Sequence, residues 1–198
     1  MLIDYKEQSF AKRYHLMAQT IIPRPIAWIV TRNEDGQVNI APFSYFMGLS
    51  SNPPTMIVSI GHKSDTSPKD TLHNLRTTRK CTICMVEPKD LHKMHLSSKE
   101  LDATVSEAQE FDIETQDIMD GFPPMVQDTP SAFFCELYQE IELQDSKTIP
   151  LIVEIKAQYI AQRLITDTQT LQWEYEPLAR IGRSYALLGE KIQPPVME

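Results

Sequence analysis

The stretch His62 to Leu75, HKSDTSPKDTLHNL, gathers the residue types that hold a phosphate. The hydroxyls of Ser64, Thr66, Ser67 and Thr71 and the ammonium of Lys69 converge just before a short run of helical character. A helix start offers unpaired backbone N–H groups and the positive end of the helix dipole, so hydroxyls and one cation beside it can cradle an anion without a glycine-rich loop. Taken locally, a capped helix with solvated polar residues is the better account, because Asp, Ser and Thr are also good caps. A second constellation begins at Asn39, NIAPFSYFMGLSSNPP, where aromatic and hydroxyl residues stand among small ones at a strand end. In extended geometry Asn39, Ala41 and Phe43 face one side and Ile40, Pro42 and Ser44 the other. Such a row can line a flat aromatic ligand whose edge takes hydrogen bonds from backbone N–H groups and from Ser44 or Ser50. Composition alone does not separate that role from ordinary core.

Other chemistries find no support. There is no GxGxxG opening a helix after a strand, no GxxxxGK[ST], and with six glycines no room for a glycine-rich phosphate loop. Neither HExxH nor GxSxG occurs, and no pair of carboxylates is forced together by a strand or helix. His92 and His95 could share a helical face, but no third ligand is placed to join them, and the polar stretch around them reads as solvated. Cys81 and Cys84 form a CxxC inside the apolar run KCTICMV, which reads as a buried strand, so the two thiols point to opposite faces. With Cys135 the cysteines are three, an odd number without an export signal, and all are expected as buried core residues rather than disulfide or metal ligands. No metal and no catalytic acid, base or nucleophile is expected.

The elements that must position these residues are mostly strands. Ile26 to Thr31 is an apolar, β-rich run; Asn33 to Gly36 is a turn cluster with Asp-Gly; Val38 to Ala41 begins the return strand, which makes a hairpin. After SSNPP, the run TMIVSIG predicts a third strand, TLHNLRTT a short helix, and KCTICMV a fourth strand. From Pro88 to about Gln109 the composition turns polar with one or two short helices. FDIETQDIMDGFPPMVQDTP reads as a loop, its acidic residues solvated, and SAFFCELYQEIEL and IPLIVEIKAQYIAQRL as closing strands. Trp28 is expected inside the resulting barrel. The first twenty-odd residues are mixed in pattern, and Gly182 and Gly189 mark turns near a proline-rich end. Short strands at intervals with small helices between them predict a mainly β fold, a closed or nearly closed barrel, over one domain of residues 1–198 with its core at about 20–190.

Of 198 residues, 41% are hydrophobic, enough for one sizeable core. A net charge of −8 with scattered Lys and Arg argues against a nucleic-acid partner. No signal peptide and no stretch approaching eighteen apolar residues is present, so a soluble cytoplasmic protein without a membrane partner is expected.

The order of the pieces carries further information. IIPRPIAWIVTRNEDGQVNIAPFSYF, then LSSNPPTMIVSIG, then SPKDTLHNL, then KCTICMV resembles the flavin-reductase-like, FMN-binding split-barrel family, flavoredoxin-like proteins included. The likeness is specific from Ile21 to Val86 and continues more loosely through HLSSKELDATVSEAQEFD, FFCELYQEIEL and IPLIVEI into ARIGRSYA. It implies an antiparallel split β-barrel, a homodimer with FMN near the subunit interface, and NAD(P)H as electron donor to a small acceptor. The phosphate-binding segment then corresponds to Lys69, Asp70 and Thr71, with Ser59, Gly61 and His62 on the adjoining strand end. The flavin-facing strand corresponds to Asn39, Ala41, Pro42, Phe43, Ser44 and Tyr45, and Arg183 and Tyr185 approach the ring or the pocket above it. Arg24 is a further positive charge nearby, and Ser97, Ser98 and Phe111 fall in the region that covers the flavin. The chemistry then belongs to the flavin, and the protein binds and orients it. Two other uses of such a barrel remain open, an electron carrier served by a redox partner protein and a pyridoxamine-phosphate-oxidase-like enzyme.

Overall fold

The computed structural model describes residues 1–195. The chain runs through α1 (Phe10–Thr20), β1 (Ala27–Arg32), β2 (Val38–Phe43), β3 (Phe46–Ser51), β4 (Pro54–Gly61), α2 (Asp70–Thr78) and β5 (Lys80–Cys84). Then follow α3 (Leu91–Leu96), α4 (Glu107–Glu110), β6 (Thr115–Gln116), β7 (Met125–Val126), β8 (Ser131–Glu140) and β9 (Thr148–Ile160). Two short strand pairs follow, β10 (Ile165–Asp167) with β11 (Gln172–Trp173), and β12 (Leu178–Ile181) with β13 (Ser184–Leu187). The fold is mainly β with short helices, as the sequence predicts.

Seven strands form one antiparallel sheet in the order β2-β1-β5-β8-β9-β4-β3. Strands β2 and β3 stand at its two ends, yet only Ser44 and Tyr45 separate them in the chain. From Phe43 to Phe46 is three residue steps, at most about 11 Å of extended chain. The sheet must therefore curl until its edges nearly meet, which makes a barrel, and the missing pairing between β2 and β3 is its split. Tyr45 O accepts a hydrogen bond from Ser59 N at 2.9 Å, which extends the β3–β4 ladder onto the bridging segment.

Alternation along the strands fills two cores. Ala27, Ile29, Val58, Ile60, Cys81, Ile83, Leu151 and Val153 lie in one cluster, and α2 inserts Leu72 and Leu75 into it as a plug. The other face of β1, β2, β5 and β8 carries Trp28, Val30, Ile40, Cys84 and Ala132, covered by Met94 of α3 and by Ile113, Met125 and Val126. Cys81 and Cys84 thus sit on opposite faces, and Cys135 pairs across from Cys81. All three thiols are free and buried. Burial pushes Cys84 up to about 12 and Cys135 well above its ordinary value, so neither is a ready thiolate.

Several features differ from the sequence reading, among them the stretch read as a loop, which carries the paired strands β6 and β7. The opening residues form α1, capped by the Ser9 hydroxyl, which accepts from Lys12 N at 3.3 Å. Only Ala18 of this helix is buried while Phe10, Tyr14 and Met17 are exposed, so the pattern of a core-facing helix is missing. SYFMGLSS contains a separate edge strand, β3, whose residues are almost all exposed and so show no alternation. Trp28 lies on the covered outer face rather than inside the barrel, with Nε1 donating to Ser97 Oγ at 2.9 Å. Gly182 makes a tight turn as expected, at φ +50°, whereas Gly189 lies in irregular chain after β13.

A polar network ties α2 to the first hairpin. Thr31 Oγ1 accepts from Asn39 Nδ2 at 3.2 Å and from Asn74 Nδ2 at 3.1 Å, and Asn39 Nδ2 also reaches Thr71 Oγ1 at 3.0 Å. Thr31 and Asn74 are fully buried. Thr31→Val is expected to strand these amides and to destabilise the fold by about 1–3 kcal/mol. Urea unfolding should show a lower midpoint at unchanged slope. A midpoint equal to that of the parent would mean the network contributes nothing.

Candidate functional site

The segment that closes the barrel also builds a cavity of about 290 Å³. Pro42 and Phe43 reach it from the end of β2, Ser44 and Tyr45 from the bridge, Ser59 and Gly61 from β4, and Thr148 from β9. The proline is at home there, because β2 is an edge strand and that position donates to no neighbour. Tyr14 packs edge-to-face on Tyr45 with ring centres 5.9 Å apart. The Tyr45 hydroxyl is shut off from solvent and has no hydrogen-bond partner among the described residues. Burial raises its pKa, so it is a neutral phenol in search of an acceptor.

The remaining lining comes from chain that is distant in sequence: Met94 and His95 of α3, Ser98 just after it, Arg180 of β12 and Tyr185 of β13. A two-residue turn at Gly182 and Arg183 places Arg180 directly across from Tyr185. The Arg180 guanidinium lies 4.5 Å from the centre of the Tyr185 ring. The Tyr185 hydroxyl is 2.9 Å from His95 Nδ1, and the two rings meet edge-to-face at 5.8 Å. Buried Arg24 holds this hairpin to the barrel. Its backbone exchanges two hydrogen bonds with Arg180 at 3.0 and 2.9 Å, and its guanidinium donates to Ala18 O, to Ile21 O at 3.2 Å and to Gly182 O at 3.2 Å.

A smaller recess of about 30 Å³ shares Ser98 with the first. Asn39 and Ala41 of β2, the Lys69–Thr71 start of α2, and Lys99, Glu100 and Glu107 line it. Helix α2 follows Lys69 with no side chain capping it, which leaves first-turn N–H groups for another acceptor. Lys63 is paired with Asp70 at 2.7 Å, whereas Lys69 has no acidic partner among the described residues. Glu100 accepts from Ser64 N at 3.2 Å and Ser64 Oγ at 2.9 Å, the kind of contact an anion would make with this loop. Glu107 is buried, its carboxylate accepting from Ile40 N at 3.0 Å.

The structure therefore brings most of the sequence-derived residues to two adjoining recesses. Pro42, Phe43, Ser44, Tyr45, Ser59, Gly61 and Tyr185 meet in the larger, and Asn39, Ala41, Lys69, Asp70 and Thr71 in the smaller. His62 lines neither; its Nδ1 lies 3.3 Å from Lys147 O. Arg183 lines a separate recess beside α1, with Phe10, Tyr14 and Gly182. Arg24 is spent on backbone carbonyls and offers no second charge for a phosphate. Ser97 is taken up by Trp28, Ser98 touches both recesses, and Phe111 stacks under Lys99 at 5.5 Å. Sequence reasoning missed Arg180, His95 and Glu107. Arg180 was legible as the partner of Tyr185 across a glycine turn, but His95 sits in a polar helix whose contact with β13 is visible only in three dimensions.

A β-barrel split between two edge strands, with an aromatic cavity beside the split, defines a split-barrel protein. The chain belongs to the flavin reductase like family, whose domain model matches residues 17–177. It is similar to the 2-nitrobenzoate 2-nitroreductase of Pseudomonas fluorescens, with 25% identity, a TM-score of 0.89, and coverage of 100% of this chain and 96% of that one. Component B of nitrilotriacetate monooxygenase from Bacillus cereus shares the fold at a TM-score of 0.88 and 24% identity, over 98% of both chains. An uncharacterized protein of Aquifex aeolicus is 27% identical over 183 residues, 91% of either chain. No helix among the described residues is long and apolar enough to cross a membrane, and no group of three metal-ligating side chains occurs among them.

Burial raises the pKa of Glu107 above its ordinary value of 4.5, with the hydrogen bond from Ile40 opposing the rise. The folded chain thus holds this proton more tightly than the unfolded one. Its contribution to stability is present below the ordinary glutamate pKa and is withdrawn as pH rises through the raised folded value. Glu107→Gln keeps an acceptor for Ile40 N and is expected to remove that part of the pH dependence. Denaturation midpoints followed upward from pH 4.5 should fall less in the variant than in the parent, and parallel curves would refute the assignment.

Proposed function

We propose that this protein binds FMN across the two adjoining recesses and passes electrons from NAD(P)H through it to a small acceptor. The observation that carries the reading is the uncapped start of α2 with the unpaired Lys69, set beside a cavity walled by Phe43, Tyr45 and Tyr185. The residues present fit the group. The N–H groups of the first α2 turn and the Lys69 ammonium suit a phosphate. Aromatic walls suit a flat ring, and the Ser44 and Ser59 hydroxyls suit its polar edge.

When bound, FMN supplies hydride and single-electron transfer. The chain's own part is to anchor, orient and enclose. Lys69 and α2 fix the phosphate end, and the Pro42–Tyr45 bridge fixes the plane of the ring because both of its ends are held in strands. The Trp28–Ser97 contact and the Glu107–Ile40 contact keep the covering segment down, which limits water at the site. Membership in the flavin reductase like family and the likeness to a nitroreductase support an oxidoreductase role.

The same reading includes a homodimer. Edge strand β3 leaves Met47 and Leu49 about half exposed or more, and α1 presents Phe10, Tyr14 and Met17. An unpaired edge with apolar side chains favours cover by a second copy.

The first experiment is an absorption spectrum of the purified protein, with the released chromophore identified after denaturation. Flavin bands with FMN released are expected, and anaerobic bleaching by NADH or NADPH. A protein that neither carries nor takes up FMN would defeat the reading, and bleaching only by dithionite or a protein donor would make it an electron carrier. Lys69→Ala should weaken FMN binding by about ten- to a hundredfold, since a charge-assisted hydrogen bond contributes about 1.5–3 kcal/mol. Fluorescence titration measures this, and unchanged affinity would move the phosphate elsewhere.

A further inference from the structure

We infer that the larger cavity selects acceptors bearing a carboxylate, with Arg180 as the residue that determines this specificity; the inference rests on the FMN reading above and names its substrate class. The whole chain has a net charge of −8, yet none of the residues lining this cavity is Asp or Glu. Its one permanent charge is the guanidinium of Arg180. That group has no carboxylate and no hydrogen-bond acceptor among the described residues, and its contact is the face of the Tyr185 ring at 4.5 Å.

A cation left unpaired in an acidic protein, at the wall of a cavity, marks a place for an anion. The geometry around it is set in advance. The ring of Tyr185 carries the guanidinium on its face, and the hydrogen bond between the Tyr185 hydroxyl and His95 Nδ1 holds that ring in place. The β12–β13 register makes Arg180 and Tyr185 direct neighbours, and Arg24 ties the hairpin to the barrel. A guanidinium fixed in this way presents two parallel N–H groups, which match a planar carboxylate. The Ser98 hydroxyl lines the same cavity, but it donates to His95 O at 2.6 Å and so completes no competing anion site.

The two anion-binding features of the site are chemically distinct. Lys69 and the α2 start line the smaller recess, and Arg180 lines only the larger one. The phosphate and the carboxylate are thereby assigned to different cations. Met94, Ile26 and the aromatic walls around Arg180 favour a flat or apolar body behind the carboxylate, as in an aromatic acid.

The test compares benzoate with benzamide, a neutral ligand of the same shape, by calorimetric titration of the protein with and without FMN. The parent is expected to bind benzoate at least about tenfold more tightly than benzamide, as a charge-assisted pair requires. Arg180→Met should abolish that preference while leaving benzamide and FMN affinity within about twofold, and Arg180→Lys should restore part of it without the full effect of the bidentate pair. With FMN and NAD(P)H present, KM for 4-nitrobenzoate should rise in Arg180→Met while KM for 4-nitrobenzamide does not. Equal binding of benzoate and benzamide to the parent would overturn the inference. So would a loss of FMN affinity in Arg180→Met with the benzoate preference intact, which would assign the cation to the flavin. Failure of the parent to bind FMN would defeat the cofactor reading instead, and the benzoate titration of the flavin-free protein would then still report on Arg180.

Discussion

The architecture turns on a shortage of chain. Two residues, Ser44 and Tyr45, join the two ends of a seven-stranded sheet, and so short a link leaves the sheet no option but to curl. The right-handed twist of antiparallel strands makes such curling natural, but here covalent connection sets how far it goes. Although the link is no longer than a hairpin turn, β2 and β3 are not laddered to each other and stand at the two ends of the sheet. Pro42, Phe43, Ser44 and Tyr45 line a cavity there, with Phe43 also packed against the barrel core. A site at that position follows from the closure itself.

Around the gap, other elements are held by polar contacts as well as by apolar packing. Trp28 gives its indole N–H to Ser97, Glu107 takes the N–H of Ile40, and Ser106 gives its hydroxyl to Val38 O at 2.6 Å. These contacts lay the α3–α4 segment over the barrel's outer face, where Met94 and Ile113 complete the second cluster. On the other side Arg24 satisfies carbonyls at the end of α1 and at the β12–β13 turn, so one buried guanidinium organises two elements that have little core of their own. A buried charge is costly unless it is fully engaged, and Arg24 is engaged on nearly every side. Arg24 and Arg180 show what sets a structural cation apart from one available to a ligand. The first has carbonyls around its guanidinium, and the second has only a ring beneath it.

Electrostatics divides the site in the same manner. The smaller recess mixes Lys63, Lys69 and Lys99 with Asp70, Glu100 and Glu107; Lys63 is paired with Asp70, whereas Lys69 and Lys99 have no acidic partner among the described residues. The larger cavity holds no acid at all. Glu100 bonded to Ser64 shows that the loop before α2 already accommodates a carboxylate where its N–H and hydroxyl converge. The start of α2 beside this loop, which the local sequence reads as a capped helix, has no side-chain cap.

By itself, the sequence determined the apolar, β-rich runs and their turns. β1, β4, β5, β8 and β9 bury at least one face, and that requirement is written into short apolar runs bounded by turn residues. It also determined that Cys81 and Cys84 could not meet, since three steps along a strand reverse the direction of the side chain. The motif order pointed to the split barrel and to the segments Asn39–Tyr45 and Lys69–Thr71. Only the tertiary structure decided which residues complete the cavity. His95 and Tyr185 are ninety positions apart, and Arg180 and Arg183 are both plausible neighbours of a ligand until the Gly182 turn sends one to each recess. Local sequence carries backbone preference and periodicity, whereas the meeting of distant side chains depends on register, on closure of the sheet and on the hydrogen bonds of buried polar groups. None of these leaves a local pattern to read.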